Sequence, residues 1–526
     1  MSLIAIQPID IANMFNLLFP LLLCVQFAHS LPQTYDAIVH CLDESGVPQD
    51  YPGSSNFTAD IIPYNLRLNY TPIAVAVPST VPQVQGAVLC AVNLGVKVNP
   101  KSGGHSYASH SLGGEDGHLV VDLKYFTETS VDPVTNIATV GPGARLGNVA
   151  LSLFEQGERA MAHGICPGVG IGGHVLHGGQ GYGSHTYGLL LDFLIEADIV
   201  LADGSLVTTS ETQNPELFWA LRGAGMSFGI VTSLKFRTIP APPQNILFYY
   251  PYSWNQTQAR AGWDAWQAYC GGETTPVIPL EMNVRWVINN DTEGRLLFLL
   301  EGAYHGSEED FLDAIGPLLD ELAKIGGFEE DVRGVGTHEL GWLDALLYAN
   351  SNGLFSNWDN NQTLETPLNY TAHATFFAKS LMTSNLSPAG VDAWIDRLYA
   401  TGPTSPTGWY FIIAAQGGPT SYVPTIPQDA TSYAHRSSIY EWQLVAQTTT
   451  PPFDDAGITW LNPFISDIEA AESNVTLGMY YNYADPTLSK EEAHERYWLE
   501  HYGRLKGIKE SVDPGLVFLN PQTVGN

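Results

Sequence analysis

After residue 70 the apolar positions of the chain fall into two alternating periods. Ile73, Ala74, Val75, Ala76 and Val77 form a short unbroken apolar run, the pattern of a buried strand. Val84, Val88 and Val92 then recur at i, i+4 and i+8, which predicts a helix capped by Ser79 and ended by Gly95. Val96 and Val98 alternate as the next strand. This strand–helix–strand opening argues for α/β character. From about 245 to 474 strands alternate with amphipathic helices, such as the one with apolar positions 311, 312, 315, 318, 319 and 322. That stretch reads as an α+β domain. A last helix is predicted near Glu491 to Lys509, then a turn at Asp513-Pro514-Gly515. The run from Phe15 to Phe27 follows neither period and is shorter than the roughly 20 residues a membrane span needs. With Ala28 and Ser30 behind it, it reads as a signal peptide over residues 1–30, and no later segment reads as a membrane span.

With 526 residues the chain is too long for one core, so two domains, or one with a large insertion, are expected. Pro240, Pro242 and Pro243 form a natural linker. Charged residues are only 14%, yet the net charge is −32, from 54 Asp+Glu against 22 Lys+Arg. Such acidity repels phosphate backbones and excludes nucleic acid as a partner. Sequons at Asn56, Asn69, Asn255, Asn290, Asn361, Asn369, Asn385 and Asn474 agree with secretion and with glycans supplying solubility. Beyond the signal, Cys41, Cys90, Cys166 and Cys270 allow up to two bridges in an oxidising compartment.

The chemistry concentrates between residues 100 and 235, where glycine and histidine are dense. In Ser102-Gly103-Gly104-His105-Ser106-Tyr107 two glycines let backbone N–H groups approach an anion and the serines add donors, although a plain tight turn would use the same residues. Gly164-Ile165-Cys166-Pro167-Gly168-Val169-Gly170-Ile171-Gly172-Gly173-His174, followed by Gly178-Gly179-Gln180-Gly181-Tyr182-Gly183, reads as a wall packed on a flat ligand. Phe218 to Gly225 reads as a helix ending in a glycine loop, and Phe228-Gly229-Ile230-Val231 as the strand after it. On these residues alone His105 is a loop histidine satisfied by backbone, and Cys166 is a disulfide partner for Cys270. His174, His177 and His185 lie close in sequence, but no carboxylate sits at ligand spacing beside them, so no metal site is assigned.

Taken in order, these segments resemble the FAD-binding domain of the vanillyl-alcohol-oxidase superfamily, in its berberine-bridge-enzyme-like branch. Gly113-Gly114-Glu115-Asp116-Gly117-His118-Leu119, Val140-Gly141-Pro142-Gly143-Ala144-Arg145 and the C-terminal Asp513-Pro514, Phe518 and Gln522 add to the likeness, which covers about 31–526. The wording is most similar to fungal gluco- and chito-oligosaccharide oxidases. The resemblance implies an α+β, two-domain, PCMH-type FAD-binding fold whose substrate domain covers the flavin with a sheet. The flavin domain would comprise 31–240 and a closing part, 475–526, with 241–474 as the substrate-binding domain. FAD would be attached covalently twice, to His105 and to Cys166. Ser102, Gly103, Gly104, Ser106, Gly170, Gly172, Gly173, His174, Gly229, Ile230, Val231, Asn482 and Tyr483 would complete the cofactor site. Cys41 and Cys90 match the family's bridge, which leaves Cys270 as an odd thiol.

The resemblance also implies a tyrosine base in the Y-x-N-Y motif, here Tyr480-Tyr481-Asn482-Tyr483, with Tyr480 as the base and Tyr481 facing away if the segment is a strand. A phenol of pKa near ~10 would then need its phenolate stabilised. Tyr107, Glu281 and Gln443 match substrate-facing positions, and Val169 a position that shapes oxygen access. The strand Trp409 to Gln416 departs from the pattern: Ala414 stands where the oligosaccharide oxidases carry an acid, and Ile412 where they carry a glutamine. Three readings stay open. The first is a secreted monomer that oxidises the anomeric hydroxyl of an oligosaccharide to a lactone and reduces molecular oxygen to hydrogen peroxide. The second is an oxidase or dehydrogenase of a less polar alcohol or secondary metabolite. The third is a secreted protein with bound but idle flavin.

Overall fold

The computed structural model describes residues 35–272, 277–291, 294–330, 335–352, 363–370 and 372–525. The segment 1–30 read as a signal peptide, with Cys24, and the Asn361 sequon lie outside the described residues.

Up to residue 240 the described residues form two larger sheets and a two-stranded one that pairs Arg159–Ala160 with Ile239–Pro240. A four-stranded sheet runs in the order Gln49–Asp50, Ala74–Ala76, Leu119–Asp122, Val98–Lys101. Its inner pairings are parallel, joined by the helix Val81–Leu94 as the apolar periods require. Gly95 ends that helix at φ 68°, in the left-handed region that glycine adopts at low cost. The helix starts one residue later than the Ser79 cap implies, because Thr80 takes the N-cap position while Ser79 donates its N–H to the Gln83 side chain. The strand after Gly95 likewise starts at Val98, which leaves Val96 in the turn. A five-stranded antiparallel sheet follows, in the order Thr129–Val131, Ile137–Val140, Ile230–Arg237, Leu194–Val200, Leu206–Ser210.

Beyond the prolines the chain builds a seven-stranded antiparallel sheet. Its order is Gly336–Leu340, Asn245–Ser253, Leu296–Tyr304, Met282–Asn290, Gly408–Ala415, Tyr440–Thr448, Thr375–Thr383. Alternation gives the sheet two faces. Trp286, Phe411, Ile413 and Trp442 face the main apolar core, which includes Trp263, Trp266 and Trp394 of the helices Gln256–Gly271 and Pro388–Thr401. The Trp263 ring centroid lies 4.7 Å from that of Trp394 and 5.2 Å from that of Trp442. Val287, Tyr410, Ile412 and Val445 belong to a separate apolar cluster on the other face.

The chain then returns to the first sheets. Val98 donates its N–H to the Val517 carbonyl at 2.8 Å. Lys509, fully buried, donates to Asp513 at 2.7 Å and to the carbonyls of Ser227 and Phe518. Asp513 in turn accepts from the N–H groups of Val517 and Phe518. The predicted tail helix is two helices, Lys490–Trp498 and Tyr502–Val512, because Leu499 breaks it at φ 44°. Cys41 and Cys90 form a disulfide, and Cys166 and Cys270 are free thiols. Among the described residues no helix is long and apolar enough to cross a membrane.

Removing the Asp513 carboxylate leaves Lys509 buried without its counter-ion. Asp513→Ala is expected to lower stability by about 3–5 kcal/mol, read from urea unfolding followed by tryptophan fluorescence.

Candidate active site

A cavity of about 750 Å3 opens between the glycine-rich loops and the seven-stranded sheet. That size lies in the range of cofactor pockets, roughly 300–1,000 Å3. Ser102, Gly103, Gly104, His105, Ser106 and Tyr107 line it from one loop; Cys166, Gly170, Gly172, Gly173 and His174 line it from another. Gly229 and Val231 contribute from the start of their strand, Asn482 and Tyr483 from the returning chain, and Gln443, Ile412 and Ala414 from the sheet.

The two loops meet on glycine. A Cβ on Gly170 would fall inside contact distance of the Gly103 nitrogen and the Ser102 hydroxyl, and a Cβ on Gly103 would strike the Gly170 backbone. Arg145 fastens the pair by donating to the carbonyls of Gly168 and Gly103. His105, between Gly104 and Ser106, is stacked on Tyr64 at 4.4 Å and lies parallel to Tyr370 at 6.2 Å. Burial, with the Arg145 charge in support, lowers its pKa to about 3, so the imidazole is neutral at any ordinary pH. Burial pushes the Cys166 thiol up, opposed by the Arg285 guanidinium. Cys166 and Cys270 form no disulfide.

The cavity holds polar groups that the protein leaves unserved. His177 Nε2, His185 Nε2 and Gln416 Oε1 are buried without a hydrogen-bond partner, on residues that line it. Burial holds His174 near pKa 3, and its Nε2 accepts from the Gly164 N–H at 2.9 Å. Glycine backbone, neutral imidazoles and unserved polar atoms around one flat cavity suit a large heteroaromatic cofactor with a pyrophosphate. FAD fits these residues.

The Y-x-N-Y segment departs from the strand expected of it. Tyr481–Tyr483 is a 3-10 turn, so alternation is lost and Tyr481, Asn482 and Tyr483 all line the cavity. Tyr480 is not among the lining residues. Its ring packs on Gly178, and its oxygen accepts from Gly179 N–H at 2.9 Å, from Asn482 Nδ2 at 2.9 Å and from Gln180 N–H at 3.4 Å. Burial still holds its pKa above the ordinary value, with the Glu441 charge adding to the shift. Tyr483 meets Tyr480 edge-on at 5.1 Å and is stacked on Tyr107 at 5.3 Å. Tyr107 Oη accepts from Gln443 Nε2 at 2.8 Å.

Ile230 and Glu281 do not line the cavity either. Ile230 is the first residue of its strand and packs into the core of the four-stranded sheet, while Gly229 and Val231 on either side face the cavity. From the strand next to Glu281 the cavity receives Asn283, Val284 and Arg285 instead. Arg285 is paired with Glu301 at 2.5 Å and lies over the Tyr182 ring at 4.5 Å. Sequence reasoning missed Arg285, Tyr64 and Tyr370, because the strand register and the loop crossing that bring them in leave no motif. Among the described residues no three His, Cys, Asp or Glu side chains gather as a metal would need.

Fold and cavity together define a flavoprotein oxidoreductase. Residues 72–210 match the model of an FAD binding domain, and residues 479–525 that of berberine and berberine-like proteins. A xylooligosaccharide oxidase of Thermothelomyces thermophilus is 42% identical over 93% of this chain and 94% of its own. A solved xylooligosaccharide oxidase from Myceliophthora thermophila, in complex with xylobiose, superposes with a TM-score of 0.84 at 42% identity, covering 93% and 99% of the two chains. A solved glucooligosaccharide oxidase from Acremonium strictum, with a 6-S-cysteinyl, 8α-N1-histidyl FAD, gives a TM-score of 0.84 at 35% identity, covering 93% and 99%. The chain therefore belongs to the berberine-bridge-enzyme-like branch of the vanillyl-alcohol-oxidase superfamily, with its PCMH-type fold. It is an FAD-linked oxidoreductase acting on CH–OH groups.

Two outcomes follow. Gly170→Ala is expected to lose the flavin, because the added methyl separates the two loops; absorbance of the purified protein near 450 nm checks this. Burial depresses His110 and His174 to about 3, and His177, His185, His305 and His435 to about 4, below the ordinary value of about 6.5. The unfolded chain takes up protons below about pH 6.5 that the folded one refuses, so stability present above that pH is lost on acidification. The melting temperature should fall steadily between about pH 6.5 and 4.

Proposed function

We propose that this protein is a secreted carbohydrate oxidase that holds its FAD through two covalent bonds, to His105 and Cys166. The observation that carries this reading is that His105 and Cys166, 61 positions apart in sequence, line one cavity together with Tyr107, Tyr483 and Gln443. His105 is a neutral imidazole, able to act as a nucleophile toward an electron-poor flavin carbon; burial raises the Cys166 thiol, and the Arg285 charge only partly opposes that rise. The relatives' named substrates point to an oligosaccharide, and the alcohol oxidised is its anomeric hydroxyl, which becomes a lactone.

The chemistry a bound flavin supplies is two-electron: it accepts hydride from the substrate carbon and returns the pair to oxygen as hydrogen peroxide. The protein supplies the proton acceptor and the orientation. Tyr483 makes no side-chain hydrogen bond to a described residue, so its oxygen is free for the substrate hydroxyl. Tyr107, with Gln443 donating to its oxygen, keeps its own proton to offer to a sugar oxygen. Tyr480, expected to be the base, is here a positioning residue: its three N–H donors fix the ring against which Tyr483 rests. The sheet over 241–474 is read as the substrate domain, and 475–526 as the part that closes the flavin domain over 31–240. Secretion is supported by exposed sequon residues Asn56, Asn69, Asn255, Asn369 and Asn474.

Ile412 and Ala414 favour a second reading. Both put apolar surface on the cavity where a sugar site uses polar groups, which suits a less polar alcohol.

An aerobic peroxide assay against xylo-, cello- and chito-oligosaccharides and simple alcohols separates the two. Peroxide from sugars supports the first reading; peroxide from apolar alcohols alone supports the second. In wild type the yellow colour should stay with acid-precipitated protein. It should leave with the supernatant only when His105→Ala and Cys166→Ala are combined, and if it leaves the wild type, the covalent attachment is refuted.

A further inference from the structure

A side chain that forms a covalent bond has to be aimed. The χ2 torsion of histidine is broad, so the ring swings unless something holds it. Proteins usually fix an imidazole by a hydrogen bond to one of its nitrogens. Five histidines line the cavity: His105, His174, His177, His185 and His373. His174 accepts from the Gly164 N–H, and His177, His185 and His373 each place Nδ1 on a backbone carbonyl, of Gly173, Leu280 and Pro63. Of the five, His105 alone makes no hydrogen bond to a described residue.

Rings take the place of that hydrogen bond. Tyr64 is stacked on His105 at 4.4 Å with the planes 17° apart, and Tyr370 lies at 6.2 Å with the planes 11° apart. Tyr107 continues the set, 6.1 Å from Tyr64 and tilted 19° from it. A stack restrains the plane of a ring and leaves its in-plane lone pairs open.

Tyr64 and Tyr370 are anchored from outside the loop that carries His105. The Tyr64 carbonyl accepts the Ala374 N–H at 2.8 Å, and next to it Asn65 donates to the Tyr107 carbonyl at 2.8 Å. Tyr370 lies against Gly168, where a Cβ would collide with its ring. The Arg145 guanidinium stands 5.2 Å from the Tyr370 ring centroid while it binds the carbonyls of Gly103 and Gly168. The segment that presents Tyr370 is docked at Thr366, whose N–H and carbonyl are bonded to the Asn148 amide at 2.7 and 2.8 Å.

We propose that Tyr64 and Tyr370 are positioning residues for the bond between His105 and FAD, holding the imidazole by its faces so that a nitrogen stays open to the flavin. This rests on the double-attachment reading above. In the step a His105 nitrogen bonds a ring-methyl carbon of the flavin. That carbon gives up one proton, and the imidazole gives up its N–H proton. The electron pair of the broken C–H bond passes to the flavin ring, and molecular oxygen takes the pair with both protons as hydrogen peroxide. Orientation of the nucleophile is a large part of the barrier to such a bond. Cys166 is carried by the other loop, so its own bond reports separately on whether flavin is seated.

The test is peptide mass spectrometry of the proteolysed protein. It compares flavin on the Cys166 peptide alone with flavin that joins this peptide to the His105 peptide. In wild type almost all should be joined. Tyr64→Leu and Tyr370→Leu remove a flat face at two half-buried positions. Each should lower the joined-to-single ratio by about tenfold, with Cys166 still carrying flavin. Tyr64→Phe and Tyr370→Phe keep the face and should keep the wild-type ratio, which a role for the hydroxyl would not allow. Leu variants with the wild-type ratio overturn the proposal, and so do Phe variants that fall as far as the Leu ones. Should a Leu variant carry no flavin on Cys166, a histidine at the same position decides, since it offers a smaller flat face. A ratio below wild type then supports the proposal, and an unchanged ratio overturns it. Flavin missing from either peptide of the wild type refutes double attachment itself, whereas flavin joined in wild type and Leu variants alike refutes only the positioning.

Discussion

The contact between Gly103 and Gly170 is the constraint on which the rest of the site depends. Two loops that each present a reactive side chain have to pass close enough for both to reach one flat ligand, and only backbone without Cβ atoms passes that closely. Arg145 then ties the loop carbonyls together with a single side chain. With the loops fixed, His105 settles onto Tyr64, Cys166 lies across the cavity, and the sheet has a defined surface to close against. Propensity has little to do with this arrangement, since steric exclusion at one crossing sets it.

Burial does a second kind of work. The cavity is lined by imidazoles that burial keeps neutral and by phenols that burial keeps protonated. Both effects follow from removing water around groups that water would otherwise help to charge. The chain as a whole carries a net charge of −32, while near the cavity Glu301 is paired with Arg285 and burial raises the Glu441 pKa to about 8.

Much of this was legible in the sequence. The glycine motifs located both loops, and the apolar periods located the helix Val81–Leu94, the strand after Phe228 and the amphipathic helix Glu308–Ile325. What was not legible depends on geometry that a linear pattern does not carry. Tyr481, Asn482 and Tyr483 line the cavity together because their segment is a 3-10 turn, whose geometry the motif alone does not carry. Ile230 points away from the cavity because it begins a strand, and Glu281 stands aside because the sheet presents Arg285 instead. Ala414 looks like a missing acid when its strand is read alone; only the register with Tyr440–Thr448 sets Glu441 opposite it.

The last residues of the chain have a consequence for how the protein comes into being. Asn482 and Tyr483 line the cavity, and Val98, near the first glycine loop, is bonded to Val517. During synthesis the ribosome delivers the flavin-binding loops several hundred residues before the segment that completes their pocket. The first sheets must wait, half-walled and exposing apolar surface, until translation has finished. Completion of the cavity is therefore tied to chain release, and a protein cut short near its C-terminus leaves the ribosome with the glycine-rich loops in hand but without the Asn482 and Tyr483 that wall their cavity.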